Sequence, residues 1–297
     1  MLGFLKALLL PWAYLVLSAA ISAILSYPLY LMFGEGDISF FRSLVSRMGQ
    51  AILLLGLVPV VFNGRFKASD FGLGSHWGSG WIQGFLIGML MLSLHGLLLI
   101  SLKIRSLDIP EVAWIHYFKA ILSALSSGIG VAFLEEILFR GALLWVLLRL
   151  TTPTLAVLLC AFDFSILHFI GSQWTTDPAM VGMDTGFRIA LDGLSQIPKA
   201  DPGSFLALFS AGLFLALSRL RTASGLFFCM GIHAGWVSVI KILKSLTVLN
   251  HASVLLPLVG RYDSVIGFLS SSWLLPLIAL WLLFDRRELV RGDQHVA

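Results

Sequence analysis

The sequence predicts an all-α polytopic membrane protein of about eight transmembrane helices, with a polar site inside the helix bundle. Three observations carry this expectation. Hydrophobic residues make up 58% of the chain and charged residues only 12%, about half the charged content of an ordinary soluble domain. The mean hydropathy is +0.92. The apolar residues also fall in runs long enough to cross a bilayer, where about 18 or more are needed. Because lipid cannot satisfy bare backbone groups, such runs are expected to be helices rather than open strands.

Eight runs meet the criterion: residues 8–33, 44–62, 81–102, 117–149, 153–171, 203–219, 223–243 and 264–284. The first follows a single cation, Lys6, and shows no small-residue cleavage site, so it reads as a retained span rather than a removed signal. Short polar stretches separate the runs, for example Gly34-Glu35-Gly36-Asp37 and Asn63-Gly64-Arg65-Phe66-Lys67. The break between the fourth and fifth runs is Thr151-Thr152-Pro153, where proline suits the first turn of a new helix. The long polar connection, 172–202, holds Asp177, Asp184, Arg188, Asp192, Lys199 and Asp201, and its Phe187–Ile197 stretch has the pattern of a short amphipathic interfacial helix. It reads equally as an ordinary long loop or as a lid or docking element.

The net charge of +4 sits in short juxtamembrane clusters, with no basic run of the kind that binds nucleic acid. Arg286, Arg287 and Arg291, with Arg65, Lys67, Arg219 and Arg221, favour a cytoplasmic C-terminus; Arg42, Arg47, Lys103, Arg105, Lys241 and Lys244 fall on the other side and weaken the bias. Cys160 and Cys229 lie in apolar runs and read as small buried residues, not as a disulfide or metal pair. His95 and His76 read as packing or loop residues. Gly128, Gly130, Gly231 and Gly235 are expected to permit close helix packing.

The most informative stretch is Phe133-Leu134-Glu135-Glu136-Ile137-Leu138-Phe139-Arg140, two carboxylates and a guanidinium inside an apolar run. Ionised groups at membrane depth cost several kcal/mol each unless paired or hydrated, and so point to a function. Glu136 and Arg140 are four residues apart, with the acid first, which is the favourable order for a helical ion pair. Glu135 is rotated about 100° away and is left to proton transfer. His168, His233 and Asp163 are the other polar groups within apolar runs, and Phe164 shares a helix face with His168 one turn away. Glu135 lies 17 residues before Thr152 and His168 lies 16 after it. In an antiparallel hairpin both are then about 24 Å from the turn, at about 1.5 Å per residue. His233, 11 residues beyond Thr222, is expected somewhat shallower, and within reach only if its helix packs on the hairpin. One tuned glutamate with two histidines suits hydrolysis: Glu135 takes a proton from water, one histidine orients the water, and the other holds the oxyanion. In a second version His168, His233 and Glu135 ligate a divalent metal such as zinc; the first version needs no cofactor.

Glu-Glu-x-x-x-Arg at 135–140, Phe-x-x-x-His at 164–168 and a third-motif histidine at His233 together resemble the CPBP (Abi) intramembrane proteases, which include the type II CAAX prenyl endopeptidases. The resemblance covers about 117–240 and implies an eight-helix endopeptidase with Glu135, His168 and His233 catalytic, and Glu136, Arg140 and Phe164 supporting the site. It implies a peptide or protein substrate with or without a lipid attached; composition and hydropathy, not the resemblance, give the single integral membrane domain over 1–297 with membrane lipids around it. One position departs from the family pattern: Val237 stands where His-x-x-x-Asn or Asp is usual, removing an oxyanion donor. Two other readings stay open. One is an inactive scaffold or immunity-type protein on the same fold. The other is a proton-coupled transporter, which would carry inverted hydropathy repeats that are not evident here.

Overall fold

The computed structural model describes residues 2–34, 36–57, 72, 77–109, 113–222 and 225–284. His76, Arg65, Lys67 and Arg286, Arg287 and Arg291, which entered the sequence reading, lie outside these residues. The chain packs as two compact units, one of residues 1–66 and 165–200, the other of 67–164 and 201–297.

In the first unit, α1 (Leu2–Phe33) and α2 (Ile38–Leu55) form a hairpin that α7 (Thr185–Ser195) covers. α2 begins six residues before the apolar run because Asp37 caps it, accepting from Ser39 N–H at 2.7 Å and Ser39 Oγ at 2.9 Å. These bonds hold the Asp37 carboxyl below the usual range. The Ser22 hydroxyl donates to Val45 O at 2.5 Å and the Tyr14 hydroxyl to Leu53 O at 2.7 Å, tying α1 to α2. The core is Tyr30, Phe41, Val45 and Ile189, with Tyr30 stacked on Phe41 at 4.7 Å. α7 approaches α1 closely at Gly186, where a Cβ would meet the Ala23 backbone. It is the short amphipathic helix expected in the polar connection, displaced two residues toward the N-terminus.

The second unit contains α3 (Trp77–Ser101), β1 (Arg105–Leu107), α4 (Trp114–Glu136), a π-helical segment (Ile137–Leu143), α5 (Leu144–Leu150), most of α6 (Pro153–Leu167), α8 (Pro202–Arg221), α9 (Gly225–Leu246), β2 (Thr247–Leu249) and α10 (Phe268–Phe284). α9 is its centre and packs against α3, α4 and α8. The α3–α9 seam is built from interlocked glycines. A Cβ at Gly84 or Gly88 would strike the Phe228 or Ile232 carbonyl, and one at Gly231 or Gly235 would strike those of Trp81 and Phe85. This mutual small-xxx-small approach replaces the hydrophobic drive that helices lack in lipid. Gly128 makes the same kind of approach from α4 to Ala234 and Ser238, whereas Gly130 faces open space and carries no packing role.

α6 opens on Pro153 and α8 on Pro202, the latter capped by Asp201, which accepts from Ser204 N–H at 2.9 Å. β1 and β2 pair antiparallel, Arg105 opposite Leu249, a feature absent from the hydropathy pattern. The buried Arg105 secures the pair by donating to Thr247 Oγ1 at 2.6 Å, Thr247 O at 2.9 Å and Ser264 O at 3.0 Å.

Among the described residues, five helices are long and apolar enough to cross a membrane: α1, α2, α3, α8 and α9. α6 and α10 are apolar but have 15 and 17 residues. The continuous helical stretch 114–150 carries the charged cluster.

Candidate functional site

The charged cluster sits where α4 changes its hydrogen bonding. α4 ends at Glu136, and the next seven residues are π-helical, with Leu144 N–H bonded to Phe139 O, five residues back. Such segments widen a helix locally and recur at functional sites. The Phe139 carbonyl also accepts from the buried Cys160 thiol at 3.4 Å.

Glu136 and Arg140 are fully buried and form the expected ion pair, Arg140 Nη1 to Glu136 Oε1 at 2.9 Å. Arg140 also donates through Nη2 to Gly212 O on α8 at 3.3 Å. Its guanidinium carbon lies 4.2 Å from the Phe164 ring centroid, a cation–π contact. The Phe164 ring stands edge-on to Phe139 at 5.1 Å and to His233 at 6.0 Å. Phe164 therefore forms a wall against both Arg140 and His233, rather than only sharing a face with His168.

His233 lies opposite the Gly231–Gly235 face that meets α3, and so points toward α4. Its Nδ1 is 2.8 Å from Glu136 Oε1 and its Nε2 is 3.9 Å from Glu135 Oε2. It is thus level with the two glutamates rather than shallower. Residue counts from the 151–152 and 222 turns have no common origin, because the two turns need not lie at one height. With Nδ1–H donating to Glu136, Nε2 is the ring atom turned toward Glu135. Glu135 is the outward carboxylate: its side chain is 28% exposed, against 0% for Glu136.

His168 lies in the turn just after α6, in the first unit, and is half-buried. The fifth run was expected to continue helical to 171, but α6 ends at Leu167. Asp163 is buried on α6. Val237 is half-buried on α9 and offers no donor. The neighbouring Ser238 does not replace it, because its hydroxyl donates to Ala234 O at 2.7 Å within a tight helix contact. His95 is satisfied structurally, with Nε2 3.0 Å from Val265 O and Nδ1 accepting from Trp273 Nε1 at 3.2 Å. Cys160 and Cys229 are free and buried, the latter donating to Leu215 O at 3.1 Å. Among the described residues, no group of three or more His, Cys, Asp or Glu side chains is arranged to hold a metal ion. His233 Nδ1 is already engaged by Glu136.

The sequence pattern alone did not reveal the bond from Glu136 to His233, the π-helical segment or the Gly212 carbonyl on Arg140. Only the glycine spacing 84–88 and 231–235 foreshadowed the helix contact that brings His233 in.

The apolar helices and this cluster together define a polytopic α-helical membrane protein with a buried Glu–Arg pair beside a histidine. Residues 116–239 match the family model described as type II CAAX prenyl endopeptidase Rce1-like. No curated protein and no solved structure matches the chain significantly. The matched segment contains all three motifs, so the chain is similar to that family over 116–239, and its apolar helices make it an integral, multi-pass membrane protein.

Proposed function

We propose that this protein is an eight-span intramembrane endopeptidase that hydrolyses a peptide bond with glutamate-activated water. The observation that carries the reading is the placement of His233 between two unlike carboxylates, 2.8 Å from Glu136 and 3.9 Å from Glu135. Arg140 neutralises Glu136, which fixes the imidazole. Glu135, turned outward, is the base. It takes a proton from water as the oxygen attacks the scissile carbonyl carbon, and the proton then passes to the leaving nitrogen as the C–N bond breaks. His233, donating from Nε2 when protonated, stabilises the oxyanion. His168 enters the mechanism from the sequence motif, as the second histidine. The substrate is a peptide or protein reached within or beside the bilayer, with or without a lipid attached.

Val237 favours a second reading, a non-catalytic scaffold on the same fold, since losing one oxyanion donor costs about 10²–10³ in rate. One experiment separates the two: purified protein is assayed on a quenched prenyl-CAAX peptide and a panel of membrane peptides, beside Glu135→Gln and chelator-treated protein. We expect cleavage by the wild type and none by a folded Glu135→Gln. Unchanged activity in Glu135→Gln sinks the mechanism. Cleavage lost on chelation moves the water's activation to a metal, and no cleavage of any peptide supports the scaffold.

A further inference from the structure

The polar connection after α6 is organised around one carboxylate. α6 closes with Phe169 N–H to Ile166 O at 3.1 Å and Ile170 N–H to Leu167 O at 3.2 Å, bonds that bracket His168. Gly171 follows, exposed, and a Cβ on it would meet nothing within 4 Å. The next three residues then converge on Asp192 of α7. Its Oδ2 accepts from Ser172 Oγ at 2.7 Å, Gln173 N–H at 2.8 Å and Trp174 N–H at 3.0 Å, while Oδ1 lies 3.2 Å from Gln196 Nε2. A Cβ on the adjacent Gly193 would lie 3.4 Å from Ile170 Cγ2, so α7 lies against this segment by backbone as well as by side chain. The Trp174 side chain packs on the core of Tyr30, Phe41, Val45 and Ile189.

We propose that Asp192 is a positioning residue for His168: its carboxylate anchors 172–174 and thereby fixes the turn from which His168 projects. The inference rests on the reading that His168 serves the hydrolytic site. Physically, Gly171 is a link without a side chain between that turn and the anchor. With the anchor in place the link is held at both ends; without it, glycine's wide conformational range lets the turn rotate. A charged acceptor binds donors more strongly than a neutral one. The Ser172 hydroxyl and the two N–H groups hold the Asp192 carboxyl below its usual range, which keeps it ionised.

The test compares Asp192→Ala and Asp192→Asn in the full-length protein, using amide hydrogen exchange and steady-state kinetics. In Asp192→Ala we expect exchange to rise about tenfold or more at 172–174 and to spread to 168–171, with 203–219 unchanged. We expect kcat to fall about tenfold with KM within about twofold, as for a misplaced catalytic group. Asn keeps one acceptor oxygen and should bring both to within about threefold of the wild type. If Asp192→Ala does not fold, Asp192→Asn carries the test, with about a threefold loss of kcat expected. Exchange confined to 172–174, or an unchanged kcat in a protein that Glu135→Gln inactivates, overturns the proposal. If Glu135→Gln proves fully active, the hydrolytic reading fails on its own, and the spread or confinement of exchange still decides the Asp192 anchor.

Discussion

Arg140 is paired with Glu136, and Glu136 oxygen Oε1 serves both the guanidinium and His233. Removing one member of a buried pair typically costs about 3–5 kcal/mol because the other charge is stranded. Arg140→Met is therefore expected to lower folded yield and thermal stability by that order, and Glu136→Gln/Arg140→Met to recover much of it. The double variant should still be catalytically poor, since His233 loses its charged partner. Recovery of stability and of activity, measured side by side, separates the two duties of Glu136. A second residue-scale expectation concerns Asp263, in the loop before α10. Burial pushes its carboxyl above the usual range, against the opposing charges of Lys244 and Arg105, while Val265 and Ile266 N–H donate to Oδ1 at 2.9 and 3.0 Å. A raised folded pKa means that its contribution to stability is full below the unfolded pKa of about 3.9 and is lost as pH rises through the folded value. Asp263→Asn keeps the acceptor and loses the charge. It should match or exceed wild-type stability at neutral pH, and the advantage should vanish below about pH 4. Asp263→Ala should lose about 1–3 kcal/mol, with two N–H groups stranded. Thermal unfolding against pH checks both.

The decisive contact between elements is the glycine seam between α3 and α9. Larger side chains there cannot be absorbed, because the obstacles are carbonyl groups rather than flexible side chains. Gly88→Leu or Gly231→Leu should cost about 1–3 kcal/mol or more from overpacking and should misplace His233. Gly130→Leu, with nothing within 4 Å, is the control and should be near neutral. Equal losses at Gly88 and Gly130 in a thermal-shift assay would refute the seam. Legibility divides cleanly here. Gly128, Gly231 and Gly235 were readable as packing glycines from their setting in apolar runs, but Gly130 has the same setting and packs on nothing. Which glycine meets a partner depends on rotation about the helix axis, which hydropathy does not report.

At the scale of the molecule, the proposed eight spans make a topological commitment that labelling can test. Single cysteines at Asp108 and His251 should react with an impermeant thiol reagent from one side of the membrane, and those at Thr152 and Thr222 from the other. The pairing of β1 with β2 already brings 105–107 and 247–249 together. The native Cys160 and Cys229, at 0% exposure, should stay unlabelled throughout. Reaction of all four positions from one side would refute the span count.

The sequence by itself determined the solvent, the helical class and the identity of the charged groups. Spanning runs must be helical in lipid, and Glu136 and Arg140 must meet on one helix face because the helix repeat places them there. The ordered motifs at 135–140, 164–168 and 233 also pointed to the same family whose model matches residues 116–239. Only the tertiary structure decided that His233 bonds to Glu136 while facing Glu135, that Phe164 walls Arg140, and that α6 stops at Leu167. Each of these depends on the approach and rotation of separate helices. Close backbone packing at glycines and side-chain hydrogen bonds set that approach; the bonds leave no periodic signal along the chain, and glycine spacing does not say which helix is the partner.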